Sequence, residues 1–275
     1  VISRKPQPEG GQLPVVQKMR IRYAKRGPLR FTSHRDFARA FERAIRRAGV
    51  PIAYSQGFTP HPKISYASAA PTGVASEAEY VEIGLSAEVD PAEVRAALDA
   101  ALSPGLDILQ VVVAPDGGSL ADLIDASRWT IELTGVPEDR LETAIQAFLA
   151  TNEIMVERMT KQGRRRFDTR AAVVTMNAAG TGPVTTGAVP DAASGPGYAR
   201  MNIVVRQVTP SVRPDDVLAG LRVVADLEPP VPPRVIRQAQ GKLTPQGEIV
   251  DPLVDHDASH GKSFIGEPSV EDELL

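Results

Sequence analysis

The sequence predicts an α+β protein made of two tandem ferredoxin-like (βαββαβ) halves with antiparallel sheets and disordered termini. Three observations carry that expectation. Short stretches alternate apolar and polar residues, as half-buried strands do. Between them lie segments whose apolar residues recur at three- and four-residue steps, as on one face of a helix. The order of these segments, β-α-β-β-α-β, then occurs a second time, although no residue-level repetition accompanies it.

Residues 1–14 are rich in Pro, Gly and Gln and are expected to be disordered. An N-terminal domain is expected over residues 15–115. Its first strand is the alternating run 17–24, and a helix follows over 33–48, with Ser33 as N-cap and Asp36 completing a capping box. Gly49 ends that helix, since glycine takes a left-handed cap without strain. Residues 50–54 read as a short strand, 55–63 as a long loop, and 64–73 as a small, polar segment suited to close backbone approach. A strand over 78–85, a helix opened by Asp90, Pro91 and Glu93, and a strand over 106–114 complete the half.

The C-terminal domain is expected over residues 116–243. It comprises a strand at 128–134, a helix at 137–150 with Leu141, Ile145, Phe148 and Leu149 on one side, and strands at 154–159 and 200–208. A helix at 213–224 and a last strand at 234–240 follow, and residues 169–176 can add a further strand. Residues 177–197 read as a flexible Gly/Ala/Thr/Pro insertion, and 244–275 as an acidic disordered tail containing His256 and His260.

The 275 residues carry a formal charge of only -3, which conceals an asymmetry. Between Lys18 and Arg47 stand eleven Lys/Arg against Asp36 and Glu42, so eleven less two leaves +9. From Gln246 to Leu275 eight acids face one Lys, which leaves -7. A basic front suggests a polyanionic partner. The absence of cysteine excludes disulfides, Fe–S ligation, thiolate zinc and a cysteine nucleophile on this chain. No apolar run reaches the roughly 18 residues of a membrane span, and the first residues lack a signal peptide's apolar core, so a cytoplasmic protein is expected.

Two segments carry the candidate chemistry. On the first helix Phe37, Phe41, Ala44, Ile45 and Ala48 form an apolar stripe, while Arg35, Arg39, Arg43, Arg46 and Arg47 step around the other side. Like charges at four-residue spacing repel by a few tenths of a kcal/mol, about 0.2–0.5 each, a cost that bound phosphates would offset. A plain solvated face is the competing reading. The loop after it places Gln56 and Phe58 beside Gly57, and brackets His61 between Pro60 and Pro62 before Lys63, a stiff way to present a histidine and a lysine. His34 lies in the helix's first turn, where free N–H groups attract anions. Helix and loop are expected to form one surface. His34, His61 and Lys63 are catalytic candidates without an assigned reaction, and no metal-ligand spacing joins the histidines to Glu77 or Glu79. A second basic run, Lys161, Arg164, Arg165, Arg166 and Arg170 around Phe167, reads as an arginine-rich hairpin suited to RNA backbone contact and base stacking, or simply as a soluble turn.

The strings Leu-Arg-Phe-Thr-Ser-His-Arg-Asp (29–36) and Glu-Arg-Ala-Ile-Arg-Arg-Ala-Gly-Val-Pro-Ile-Ala-Tyr-Ser-Gln-Gly-Phe-Thr-Pro-His-Pro-Lys (42–63) closely resemble the radical-SAM-linked protein family, an uncharacterised bacterial domain. The resemblance is specific over 18–85 and looser beyond, where Asp168-Thr169-Arg170 is similar to that family's Asp-x-Arg segment. It implies a stand-alone companion of a radical SAM enzyme, whose Fe–S cluster, S-adenosylmethionine and cobalamin would all reside on the partner. It also implies a setting near RNA-processing and ribosomal factors, and it transfers no catalytic residue. The expected function is a non-catalytic accessory protein that binds structured RNA, tRNA or rRNA, through the arginine helix and loop. One alternative is an RNA-modifying or RNA-cleaving enzyme using His34 and His61 as acid and base. Another is a protein-interaction module docking an acidic partner.

Overall fold

The alternation that begins at Gln17 places Met19, Ile21 and Tyr23 on one side of strand β1 (Gln17–Lys25) and Lys18, Arg20 and Arg22 on the other. In the structure, a computed structural model that describes residues 13–115, 118–160, 163–181 and 198–254, β1 is the centre of the N-terminal half. It pairs antiparallel with β3 (Ala75–Leu85) and with β4 (Ile108–Val113), and the short β2 (Ile64–Tyr66) pairs antiparallel with β3. Helices α1 (His34–Arg47) and α2 (Pro91–Ala101) supply Phe37, Phe41, Ala44, Ile45, Val94 and Leu98 to a core with Met19, Ile21, Val81, Ile83 and Leu85.

The rest of the chain extends the sheet. Strands β5 (Ala126–Thr134), β8 (Val173–Thr181), β9 (Tyr198–Arg206) and β10 (Arg234–Leu243) lie in the order β10-β5-β9-β8, each antiparallel to its neighbour. Helices α3 (Glu138–Ala150) and α4 (Pro214–Ala225) close a second core around Ile131, Leu133, Phe148, Met201, Ile203 and Leu221. Strands β6 (Met155–Thr160) and β7 (Gly163–Asp168) form a separate two-stranded sheet. A parallel contact between β3 and β10, Ile236 beside Ala75 and Arg237 beside Ser76, fuses the halves into one sheet of order β4-β1-β3-β10-β5-β9-β8. The chain is thus an α+β protein with four helices and a largely antiparallel sheet among the described residues.

The seam shows how the helices are disposed. Arg237 reaches Glu79, which shares the strand face of Val81, and lies 5.4 Å from the Trp129 ring, which shares that of Ile131. Both are helix-covered faces, so the helix pairs of the two halves lie on one side of the sheet.

Several expectations change. Residues 50–54 make only isolated bridges, Ile52 to Leu85 and Tyr54 to Pro62, because the neighbouring edge of β3 is taken by β2. Leu149 is 37% exposed, away from its apolar neighbours on α3. Ser33 caps α1 by accepting from Asp36 N, but its hydroxyl donates to the Asp36 carboxylate at 2.7 Å instead of closing a reciprocal box. Asn177 continues β8, while residues 182–197 of the expected insertion lie outside the described residues. The expected acidic tail does not begin at 244. Strand β11 (Ile249–Val250) pairs with β10, Leu253 is buried, and Asp251 accepts from Arg22 at 2.9 Å and from Tyr80 at 2.8 Å. Residues 255–275 and 1–12 lie outside the described residues.

Burial gives the fold a limit at high pH. Tyr23 and Tyr80 are held above the ordinary 10.0 by burial first and then by Glu79 and Asp251 respectively; Tyr66 is raised by burial and by Glu42. A phenol raised in the folded state favours folding below its unfolded value, and that contribution is lost as pH rises through the folded one. Stability in urea should therefore be insensitive to these groups below pH 10.0 and fall progressively above it, with the tyrosinate absorbance of Tyr23, Tyr66 and Tyr80 rising only as the chain unfolds.

Candidate functional site

Much of the basic front is spent on folding. Arg20 pairs with Glu82 at 3.0 Å, Arg22 with Asp251, and Arg26 with both Glu77 and Asp107, while the Lys25 ammonium donates to the Ala70 and Pro71 carbonyls. What survives is Lys18, on the opposite face of the sheet, and the outer side of α1. Arg35, Arg39, Arg43, Arg46 and Arg47 are all exposed. Arg39 is 4.0 Å from Asp36, Arg47 donates to the Ala101 carbonyl, and Arg35, Arg43 and Arg46 have no carboxylate within ion-pair reach among the described residues. Phe37, stacked on Tyr23 at 4.2 Å, and Phe41 fix the helix's rotation, so the stripe must face outward.

The loop at 55–63 is closed on itself. Ser55 N donates to the His61 carbonyl, His61 N to the Ser55 hydroxyl, and Lys63 N to the Ala53 carbonyl. Gln56 and Lys63 are exposed, and Phe58 is 74% exposed. His61 and Lys63 line a shallow cleft of about 350 Å³ with Lys18, Ser65, Glu82 and Gly84. Those strand residues alternate with the core-facing Ile64, Tyr66, Ile83 and Leu85, so this cleft opens on the face opposite α1. His34 instead sets its ring edge-on to Tyr66, 5.0 Å away, on the helix side. The sheet therefore stands between His34 and His61, and the arginine stripe and the His61–Lys63 cleft are two surfaces instead of one. Glu77 and Glu79 are occupied by Arg26 and Arg237 and face neither histidine.

The second basic run forms strand more than turn. Arg164, Arg165 and Arg166 are exposed along β7, opposite Met159, Arg158 and Glu157, and Lys161 lies outside the described residues. Phe167 is buried in the C-terminal core with the Arg158 guanidinium 4.9 Å from its ring centre, so it cannot stack on a base. Arg170 donates to the Val173 and Leu149 carbonyls and belongs to the framework.

The site that residue patterns did not reveal lies at the seam. Arg237, 2% exposed, pairs with the buried Glu79 and donates to Ser76 at 3.3 Å and to Gln240 at 3.2 Å. Gln240 in turn donates to the Ala78 carbonyl at 2.6 Å, and Glu79 accepts from Ala70 N at 3.2 Å. With Lys25 also beneath the chain at Ala70 and Pro71, this network pins the segment after β2 over the junction. Above it opens a cleft of about 420 Å³, walled by that segment on one side and by the β9–α4 connection on the other, with Trp129 and Arg237 among its lining residues. The one sequence signal was the small, polar run at 64–73, which is indeed a wall held by its backbone. Arg237 itself gave none, since an arginine in an otherwise strand-like run, here in the same strand as Arg234, looks like any edge charge.

A family model matches residues 18–214, from β1 to the start of α4. The chain belongs to that family, described as "Uncharacterized protein conserved in bacteria (DUF2344)". The matched span of the DUF2344 family holds α1, the 55–63 loop and the Glu79 side of the seam, whereas Arg237 lies beyond its end. No curated protein matches the chain. Among solved structures, an unknown protein from Galdieria sulphuraria is 17% identical, with 80% of this chain and 98% of that one covered and a TM-score of 0.22, a likeness on which no argument rests. Among the described residues, no helix is long and apolar enough to cross a membrane.

Proposed function

We propose that this chain is a non-catalytic accessory protein that binds structured RNA, tRNA or rRNA, through the outer arginines of α1. The observation that carries the reading is charge without partners: Arg35, Arg43 and Arg46 stand on one rigid helix with no carboxylate in reach among the described residues. The exposed Arg164, Arg165 and Arg166 of β7 offer a second patch for phosphates. A radical SAM enzyme as partner, bringing the Fe–S cluster, S-adenosylmethionine and cobalamin, rests on the resemblance of residues 29–36 and 42–63 alone. Two tandem ferredoxin-like halves are the architecture we infer beneath this surface, supported by the strand orders β4-β1-β3-β2 and β10-β5-β9-β8, the same order in both halves. Separation of His34 from His61 by the sheet disfavours an acid/base pair made from those two rings.

Salt titration tests the reading. Phosphate contacts release counterions, so affinity for a folded tRNA should fall linearly in log–log terms, with a slope near 0.9 per contact on a duplex. Three to five arginines predict a slope of about 3–5. A slope near zero, or no binding at about 50 mM salt, overturns the RNA reading and leaves the docking of an acidic protein surface.

A further inference from the structure

We propose that the cleft over the seam is a binding site for a nucleotide, taken either free or as an unpaired unit of an RNA strand. It shares no residue with the arginine helix, so it stands or falls separately from the reading above. Its lining carries three arginines, Arg206, Arg213 and Arg237, and no acidic side chain. Arg206 and Arg213 are exposed at the rim, while Arg237 is buried in the sheet. The Arg237 guanidinium is bonded to Ser76, Gln240 and Glu79 and lines the base of the cleft, so it contributes charge from below while the two rim arginines are placed to touch a ligand.

Charge around the floor has the same sign. Lys25 and Arg237 lie buried there against the single carboxylate of Glu79, so the network has an excess cation behind the cleft. The N-terminal end of α4 reaches the same space at Arg213 and Pro214, and what it offers there is the exposed Arg213 guanidinium, since proline has no N–H and the Arg213 N–H is taken by the Asp216 carboxylate. A volume of about 420 Å³ is that of an organic ligand and much more than an inorganic phosphate fills. The rest of the wall suits the polar edges of a base and ribose: the amide of Gln207 and the hydroxyls of Ser127 and Ser211, with only an edge of the largely buried Trp129 reaching the space.

Trp129 makes the test direct, because it is the chain's one tryptophan and lines the site. Tryptophan fluorescence of the full chain would be followed while adding the 5′-monophosphates of adenosine, guanosine, cytidine and uridine, the four unphosphorylated nucleosides, and a short single-stranded oligoribonucleotide. Saturable change with at least one monophosphate or with the oligoribonucleotide is expected, and at least about tenfold weaker binding of the matching nucleoside. A response to monophosphates alone identifies a free ligand, and a tighter response to the oligoribonucleotide identifies an RNA unit. Arg206→Ala with Arg213→Ala, both exposed, should weaken binding at least about tenfold with circular dichroism unchanged. No response to any probe, or undiminished binding by that double variant, overturns the proposal. Arg39→Glu with Arg43→Glu should leave mononucleotide binding intact, so failure of the helix reading and failure of this one are told apart.

Discussion

Glu79→Ala should cost about 3–5 kcal/mol of folding stability, the largest loss expected from any single truncation at the seam. The carboxylate lies buried on β3, paired with Arg237 of β10 and accepting from Ala70 N. Its removal leaves one guanidinium and the Lys25 ammonium buried with nothing of opposite sign beside them. Burial already drives the Lys25 pKa below its ordinary value, with Glu79 opposing that shift and Arg237 adding to it, so removing Glu79 takes away the one neighbour that favours the charged ammonium. Urea unfolding would measure the loss. Arg26→Ala, which breaks two pairs, to Glu77 and Asp107, both 44% exposed on the arginine side, should cost no more than about 1 kcal/mol for each. If charge is the cause, Glu79→Ala combined with Arg237→Met should recover part of the loss, since two well-packed neutral residues replace an orphaned ion. A Glu79→Ala protein within about 1 kcal/mol of the wild type would mean that the halves are held at β3–β10 by apolar contacts and backbone pairing alone.

Why the sequence revealed some of this and not the rest follows from how far each signal reaches. Period-two alternation in β1, β3 and β5 and the apolar stripe of α1 are local, and each element lies within a few residues of its expected place. Strand β2 escaped notice because three residues after Pro62 are too few to show a period. The fate of the arginines could not be read at all. Arg20, Arg22 and Arg26 find Glu82, Asp251 and Glu77, partners 62, 229 and 51 positions away, so a +9 segment looked like one ligand surface when mainly its helical part is available. Phe167 misled for a related reason: an aromatic beside arginines resembles a stacking platform, yet strand alternation turns it into the core. The cleft was invisible because its walls come from segments near 70, 127, 207 and 237, which only the β3–β10 junction brings together.

Arg39→Glu combined with Arg43→Glu should abolish binding of structured RNA at about 150 mM salt and lower the salt slope by about 2 where binding is still measurable, since each phosphate contact contributes about 0.9. Two charges are not merely lost but reversed, so the helix would repel the phosphates it is proposed to hold. The fold should not suffer. Arg39 is 62% exposed on its side chain, its one acidic neighbour is 4.0 Å away, and Arg43 reaches no carboxylate among the described residues. New Glu residues four positions from Arg35 and Arg47 replace repulsions with attractions of about 0.2–0.5 kcal/mol each, so melting should be unchanged or slightly later. That combination, lost binding with retained stability, is what a folding artefact cannot produce. Arg164→Glu with Arg165→Glu measures the β7 patch in the same assay and should give a smaller drop if α1 is the main contact. Tight RNA binding that survives the α1 reversal would take the helix out of the interface and leave its arginines as a solvated face. Loss of a co-purifying radical SAM subunit in the same variant, from a protein that never bound RNA, would instead assign the stripe to an acidic protein surface.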